Sequence, residues 1–522
     1  MRLPRSASGC ADPREEGRGE KSMDMNMDEP LDQNVSDTCP LTSVQQQIAA
    51  ASGEPWRLSA GSKTRIVDNA RSDNNRVLNE TAFIVLGEYS GILTPADQIM
   101  TIVHGETETP ASGDIVIELT DHEAAGDLDS KEAYVIDIGT YAKITASSER
   151  AVMYGLRTLL QKLADDGSVP YGTIADEPVI RERALHIDIG RKFYSEDWLL
   201  ERIREMSRLR LNTLQLHFSE NEGFRLMSES HPEVVSEQAL TKQEMKAIIL
   251  EAQRYHVDII PSLDSPGHLG QALRTHPEWL LKDSAGTPAP GALDITNPAA
   301  RRFVLDLIDE YAELFAGSRY FHIGGDEFIN FAEFDKYPQL AEYARNVLNI
   351  SGGTGVDTYI DYLNEVAEHL ESRGWTVRAW NDGLYRADQT QRVAPKPSIQ
   401  ITYWTKWHPM MAPVEDILAK GHQVINYNDG YLYYVLGENA GYKYPTGEKI
   451  RASWHPGLFP ARTGEAKQEY TGAYPRELIG TTFSIWSDKP EAQTEAEVAA
   501  GLRGPLRAMA ELAWLGKQDA GE

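Results

Sequence analysis

Two carboxylates stand side by side at Asp326-Glu327, directly behind Phe321-His322-Ile323-Gly324-Gly325. An apolar run closed by two glycines reads as a strand feeding a tight turn, because glycine takes backbone angles that a Cβ forbids. An ordinary two-carboxylate glycosidase sets its acids on different strands, flanking the scissile bond. Neighbouring side chains diverge, so an adjacent pair fits that scheme poorly. It fits better if one carboxyl is a general acid and the other handles a substrate group beside the reacting bond. The bland alternative is a solvated Asp-Glu pair on a loop, and the strand and glycines ahead of it favour the chemical reading.

Comparable residues end seven other apolar runs: Asp188 and Arg191; His217, Ser219, Glu220 and Asn221; Asp264, Pro266, Gly267 and His268; Trp380, Asn381 and Asp382; Trp404; Tyr431 and Tyr433; and Trp486 with Asp488. Each alone has a dull explanation. A single Trp is usually core, an Asp after a strand is usually a helix cap, and a His beside Leu216 and Phe218 is usually a hydrogen-bonded core residue. All eight ends agreeing is a stronger signal. Several aromatics and carboxylates at one mouth suit a sugar, whose faces stack on Trp and whose hydroxyls bond to Asp, Glu and Arg. His217, Asp264, His268 and Asp326 could be drawn as zinc ligands. No HxH or HExxH spacing supports that, so neither a metal nor a cofactor is expected.

The runs that must position these residues alternate with amphipathic helices. Strands are expected at Ala184–Gly190, Thr213–His217, Asp258–Leu263, Tyr320–Gly324, Thr376–Trp380, Ser398–Tyr403, Gln423–Tyr427 and Gly480–Ile485. Helices are expected at Asp197–Arg208, Thr241–Tyr255, Arg301–Phe315, Thr358–Arg373 and Glu495–Leu512, the last kinked or broken at Gly504-Pro505. Eight such alternations predict an α/β fold, a (β/α)8 TIM barrel over 177–516, with apolar strand interiors and chemistry at the C-terminal strand ends. A doubly wound sheet would need a Gly-rich phosphate turn after its first strand, and none is there.

Ahead of the barrel, residues 56–176 predict a small α+β domain. It has β-like runs at Phe83–Leu86, Gln98–Val103, Asp114–Leu119 and Tyr134–Ile138, then a helix at Ser148–Leu163. Residues 1–55 and 517–522 read as tails. The charge balance of 51 Lys+Arg against 79 Asp+Glu, net −28, argues against nucleic acid or an anionic membrane as partner. Two cysteines, Cys10 and Cys39, exclude a disulfide scaffold. No apolar stretch reaches transmembrane length, and the N-terminus lacks the apolar core of a secretory signal, so a soluble cytoplasmic protein is expected.

Four motifs carry a resemblance to glycoside hydrolase family 20, the β-N-acetylhexosaminidases, and within it to the lacto-N-biosidase branch. They are Arg183-Ala184-Leu185-His186-Ile187-Asp188-Ile189-Gly190-Arg191-Lys192-Phe193; Leu211 to Phe218 continuing to Arg225; Ile260 to His268; and His322 to Glu327. The resemblance spans roughly Ile66 to Leu515. It implies hydrolysis of N-acetylhexosamine-containing oligosaccharides by substrate assistance, the sugar's own acetamido oxygen attacking C1. Glu327 resembles the general acid, and Asp326 the group that holds the acetamido N–H. Tyr433 resembles the tyrosine bonding the acetamido oxygen, although Tyr431 and Tyr434 blur the register. Trp380, Trp404 and Trp486 resemble the pocket walls. Arg183 is matched to the arginine on the 3- and 4-hydroxyls, and Asp488 to an acid for distal hydroxyls. His217, Asp264 and His268 are expected around the sugar, the last two as support for the acids. The family usually has paired Asp residues where Glu220 and Asn221 stand here, and Glu where Asp488 stands. Arg183 favours a closed pocket and release of one terminal GlcNAc or GalNAc. Release of Gal-β1,3-GlcNAc, a non-catalytic sugar-binding module and transglycosylation are the other expectations weighed.

Overall fold

The computed structural model describes residues 40–41, 44–49, 53–59, 61–68, 75–90, 92–93, 101–104, 109–120 and 130–517. Most of the expected 1–55 tail, both cysteines, residues 98–100 and residues 518–522 lie outside that set. The chain divides into two compact units between Val179 and Ile180, with Arg208–Arg210 grouped with the first.

In the first unit seven strands form one mixed sheet: β1 (Gln46–Ala49), β2 (Thr64–Asp68), β3 (Ile102–His104), β4 (Ile115–Leu119), β5 (Tyr134–Ile138), β6 (Ala142–Ala146) and β7 (Gly172–Asp176), in the order β1-β7-β5-β6-β4-β2-β3. The β1 pairing corrects the expected tail: Gln46 to Ala49 run antiparallel to Ala175 to Gly172. All four β1 residues are exposed, so the strand has no apolar face to betray it. Phe83–Leu86 is also corrected, because it lies inside a helix, α1 (Asn75–Tyr89). Leu78, Ala82, Val85, Leu86 and Tyr89 are buried while Phe83 is 46% exposed, which is helical rather than strand spacing. The second helix, α2 (Glu149–Asp166), starts on Ser148, whose side chain accepts from the Ala151 N–H, and stops at Gly167. Its buried Val152, Leu156, Leu159, Leu160 and Leu163 form the expected stripe.

The second unit is a closed barrel of eight parallel strands: β8 (Glu182–Asp188), β9 (Thr213–His217), β10 (Asp258–Ser265), β11 (Tyr320–Gly324), β12 (Thr376–Trp380), β13 (Gln400–Tyr403), β14 (Val424–Asn426) and β15 (Leu478–Trp486). Each pairs with the next, and β15 closes onto β8. Helices α3 (Glu196–Arg208), α4 (Lys242–Arg254), α5 (Pro298–Leu314), α6 (Gly355–Glu371), α7 (Val414–Ala419) and α8 (Glu495–Leu515) connect or follow the strands, except that β12 runs to β13 without a helix. α8 continues through Gly504 and Pro505 as one helix rather than breaking there, with Pro505, Leu506, Met509 and Trp514 buried along it. Among the described residues, no helix is long and apolar enough to cross a membrane.

The barrel interior departs from the apolar filling that was expected. The Gln215 amide donates to Ser262 Oγ (3.2 Å) and its carbonyl accepts from Tyr427 Oη (2.6 Å). His322 Nε2 meets Thr402 Oγ1 at 2.8 Å. At the N-terminal end Arg378 makes two 2.7 Å bonds to the Glu182 carboxylate and a third, at 2.9 Å, to Gln400. β8 begins at Glu182, two residues before the expected start, because its backbone pairs with β15 from Gly480 onward. Buried polar groups are tolerated when each is bonded.

Candidate active site

The C-terminal ends of β10 and β11 touch because glycines stand where a side chain cannot. A Cβ on Gly324, which has φ +78°, would lie 2.7 Å from Asp264 Cα. A Cβ on Gly267 would lie 2.8 Å from the Asp326 carbonyl oxygen. Close strand ends bring His268 onto the adjacent acids: its Nε2 lies 3.3 Å from Asp326 Oδ2 and 3.4 Å from Glu327 Oε2. The two acids diverge. The Asp326 side chain is 11% exposed and its Oδ1 has no hydrogen-bond partner, whereas the Glu327 side chain is 56% exposed. Glu327 also sits at φ +45°, a left-handed conformation that costs a non-glycine residue about 1 kcal/mol or more.

Behind His268 lies a chain of buried charges. His268 Nδ1 meets Glu220 Oε2 at 2.9 Å. Glu220 Oε1 meets His217 Nε2 at 3.2 Å and Arg191 Nη2 at 2.8 Å. Arg191 also donates from Nη1 to Asp188 Oδ2 at 2.9 Å and faces Glu222 at 3.4 Å. Burial disfavours every charged form here, and the neighbours decide the outcome. Burial would raise Glu220, but the charges of His268 and Arg191 hold it well below the carboxylate range. Burial would lower His268, but Glu220 and Asp326 lift it well above the imidazole range. Against the same burial, Asp264 and Glu220 raise His217 to about 9. Asp264 is pushed well above the carboxylate range by burial and then by Asp326, while His217 and His268 pull it back down. Burial, Asp326 and Glu327 push Asp382 up to about 7.

Aromatic rings wall the other side. Trp380 is 5.9 Å from Trp486, which is 5.8 Å from Tyr433, centroid to centroid. Trp404 lies parallel to Tyr433 at 6.1 Å, and Tyr442 adds a fourth contact at 5.7 Å. Trp380 and Trp486 keep their indole N–H groups unbonded. The register ambiguity is reduced: Tyr433 is buried among these rings, Tyr434 packs on Tyr444, and Tyr431 lies under the Lys449 ammonium. Asp488 accepts from Asn439 Nδ2 at 3.1 Å, and its charge acts on Arg191.

One sequence-based assignment is overturned. Arg183 lies one residue from the start of β8, at the opposite end of the barrel from the acids. It is fully buried, donates to the Ile180 and Arg181 carbonyls and lies over Trp514. Arg191, eight residues on, is the arginine at the mouth. Strand polarity was the available signal, since barrel chemistry gathers at C-terminal strand ends. Glu220 was visible as a strand-end residue standing where the family usually has Asp, Asp382 only as a strand-end residue, and Tyr442 had no signal. The remaining candidates, Asp326, Glu327, His217, Asp264, His268, Trp380, Trp404, Tyr433, Trp486 and Asp488, all lie at that C-terminal face.

Among the described residues, two sets of ligand-type atoms come within 4.8 Å of one another, His217–Glu220–Asp264 and His268–Asp326–Glu327. Neither donor set suits a cation well. Arg191 already bonds Glu220, and both histidines are raised toward the protonated form, which cannot ligate. The arrangement can instead present a buried carboxylate and an exposed acid to a ligand held between aromatic rings.

Residues 182–517 match the catalytic domain of glycosyl hydrolase family 20, and residues 47–177 match domain 2 of the same family. The chain belongs to glycosyl hydrolase family 20. It is a glycoside hydrolase built as a TIM barrel behind an N-terminal domain. A lacto-N-biosidase of Bifidobacterium bifidum is 27% identical over 385 residues, covering 73% of this chain but only 33% of that protein. A β-N-acetylhexosaminidase of Cellulomonas fimi is 25% identical over 439 residues, covering 79% of each. In fold, the chain is similar to a Bacteroides fragilis β-N-acetylhexosaminidase, with a TM-score of 0.71 at 19% identity over 92% of both chains.

Proposed function

We propose that this glycoside hydrolase removes terminal, non-reducing β-linked N-acetylhexosamine from oligosaccharides, with retention, through an oxazolinium intermediate. The observation that carries the reading is the unlike setting of the adjacent acids. Asp326 is buried on His268 with one oxygen unbonded, while Glu327 is half exposed. Glu327 protonates the leaving oxygen as the C1–O bond breaks and the acetamido oxygen closes onto C1. Asp326, set beside His268, accepts the acetamido N–H, and its carboxylate balances the positive charge that develops on that group. Tyr433 donates to the acetamido oxygen, and Trp380, Trp404 and Trp486 enclose the methyl group and ring. Water then attacks C1 as Glu327 takes its proton, and two inversions restore the β configuration. Arg191 takes the 3- and 4-hydroxyls that sequence alone gave to Arg183, and Asp488 takes the distal hydroxyls.

The similarity to a lacto-N-biosidase favours a second reading, release of a Gal-β1,3-GlcNAc disaccharide. Products from lacto-N-triose, which ends in GlcNAc, and lacto-N-tetraose, which ends in that disaccharide, separate the two. For the shared mechanism the test is inhibition by GlcNAc-thiazoline together with NMR of the first-formed sugar. The thiazoline mimics the cyclic intermediate and should bind far more tightly than GlcNAc. An α-anomer, or comparable turnover of β-glucosides lacking the acetamido group, rejects substrate assistance.

A further inference from the structure

We propose that Asp382 is a positioning residue for the general acid, tying the backbone of Glu327 and the indole of Trp404 to one carboxylate at the end of β12. This inference rests on the reading of Glu327 given above and extends it to a residue with no role there. Asp382 is buried, 5% exposed. Its Oδ2 accepts the Glu327 backbone N–H at 3.1 Å, and its Oδ1 accepts the Trp404 Nε1–H at 3.1 Å. The neighbouring Asn381 completes the clamp: its Oδ1 accepts the Trp404 N–H at 2.9 Å and its Nδ2 donates to the Thr405 carbonyl at 2.8 Å.

The clamp answers a specific weakness. Glu327 has a left-handed backbone and a carboxylate that is more than half in solvent. A strained backbone persists only where its surroundings over-determine it. The Asp382 bond fixes the peptide from which the general acid projects. The same carboxylate sets the distance from that peptide to the pocket wall that encloses the sugar. Two donors converge from two different loops, and only a group with two acceptor oxygens answers both. An amide of the same size accepts with one oxygen and turns an N–H₂ toward the other donor. The burial of Asp382 beside Asp326 and Glu327 works against a carboxylate there. A group retained at such a cost is better explained by its two donors than by stability.

Asp382→Asn provides the test. A displacement of the acid by about 1 Å can cost roughly 10²-fold. The kcat on an N-acetylglucosaminyl disaccharide, whose leaving group needs a proton, should therefore fall about 10²-fold. On the 4-nitrophenyl glycoside, whose leaving group does not, the loss should stay within about fivefold. GlcNAc-thiazoline affinity should change little, since the acetamido pocket is intact. Equal losses on both substrates, or no loss, overturn the proposal. Should Asp382→Asn not fold, Trp404→Phe releases only the indole N–H while keeping a ring. It must then lower the disaccharide-to-nitrophenyl rate ratio, and an unchanged ratio is equally fatal. Glu327→Gln, run alongside, separates the two ideas. If it lacks the leaving-group signature, the reading of Glu327 itself fails. If it has the signature and Asp382→Asn does not, only the clamp fails.

Discussion

The two ends of the barrel bury similar groups and treat them differently. At the N-terminal end, Arg378 is matched to Glu182 by two bonds and to Gln400 by a third, and Arg183 is bonded to two carbonyls. At the C-terminal end, Asp326 Oδ1, both oxygens of Asp264 and the indoles of Trp380 and Trp486 have no hydrogen-bond partner. Buried polar atoms without partners are expensive in a protein interior. One end is therefore closed chemistry that holds strands together, and the other holds bonding capacity that a sugar can use. An arginine in a barrel motif says nothing by itself. Which end of its strand it occupies, and whether its neighbours are satisfied, decides what it does.

Glu327→Gln breaks that comparison most sharply. It removes the transferable proton at the open end and should lower kcat on natural glycosides roughly 10²–10⁴-fold without unfolding the protein. Steady-state rates on alkyl and nitrophenyl glycosides check it, because the loss should shrink as the leaving group improves. Asp326→Asn comes next, at about 10²–10³-fold, since it removes a charge that acts as positive charge develops on the acetamido group. Activity near wild type in Asp326→Asn would mean that the buried acid is structural after all.

The paired substitutions Arg191→Met and Arg183→Met test the two ends directly. Arg191→Met should lower kcat/KM per folded molecule by roughly 10–100-fold, the equivalent of about 1.5–3 kcal/mol in charge-assisted bonds. It should also destabilise the protein, because Asp188 and Glu220 lose a buried partner. Arg183→Met should lower denaturation stability while leaving kcat/KM of the folded fraction unchanged. A loss of kcat/KM in Arg183→Met would return that residue to the site.

Much of this was legible in sequence because barrel strands repeat one pattern. The strands Thr213–His217, Tyr320–Gly324 and Thr376–Trp380 fall where apolar runs predicted them. The Gly-Gly-Asp-Glu turn also announced itself, because few residues can occupy such a bend. The errors share a cause, which is that sequence does not show what lies opposite a residue. Phe83–Leu86 is equally apolar as strand or helix until one sees that Leu78 and Tyr89 continue its stripe. Strand β1 is held by backbone pairing to β7 with all four residues exposed, so it carries no apolar signature. Glu220 matters because His217, His268 and Arg191 converge on it from three strand ends, and no local pattern encodes that convergence.

The mildest prediction concerns pH. His217 is raised from 6.5 to about 9 by the negative charges of Asp264 and Glu220, which outweigh the burial that lowers it. The folded state therefore binds more protons than the unfolded chain between those values. For a histidine raised in this way, the stabilisation is complete below pH 6.5 and is lost as pH rises through 9. The loss should reach up to roughly 3 kcal/mol, less whatever neighbouring groups absorb. Urea midpoints measured from pH 6 to 9.5 should fall in the wild type and fall less in His217→Gln. The closed end supplies the control, since Glu182→Gln should lower stability by a similar amount at every pH in that range. Parallel slopes in wild type and His217→Gln would show that proton uptake at the open end belongs to another group, with His268 the first to examine.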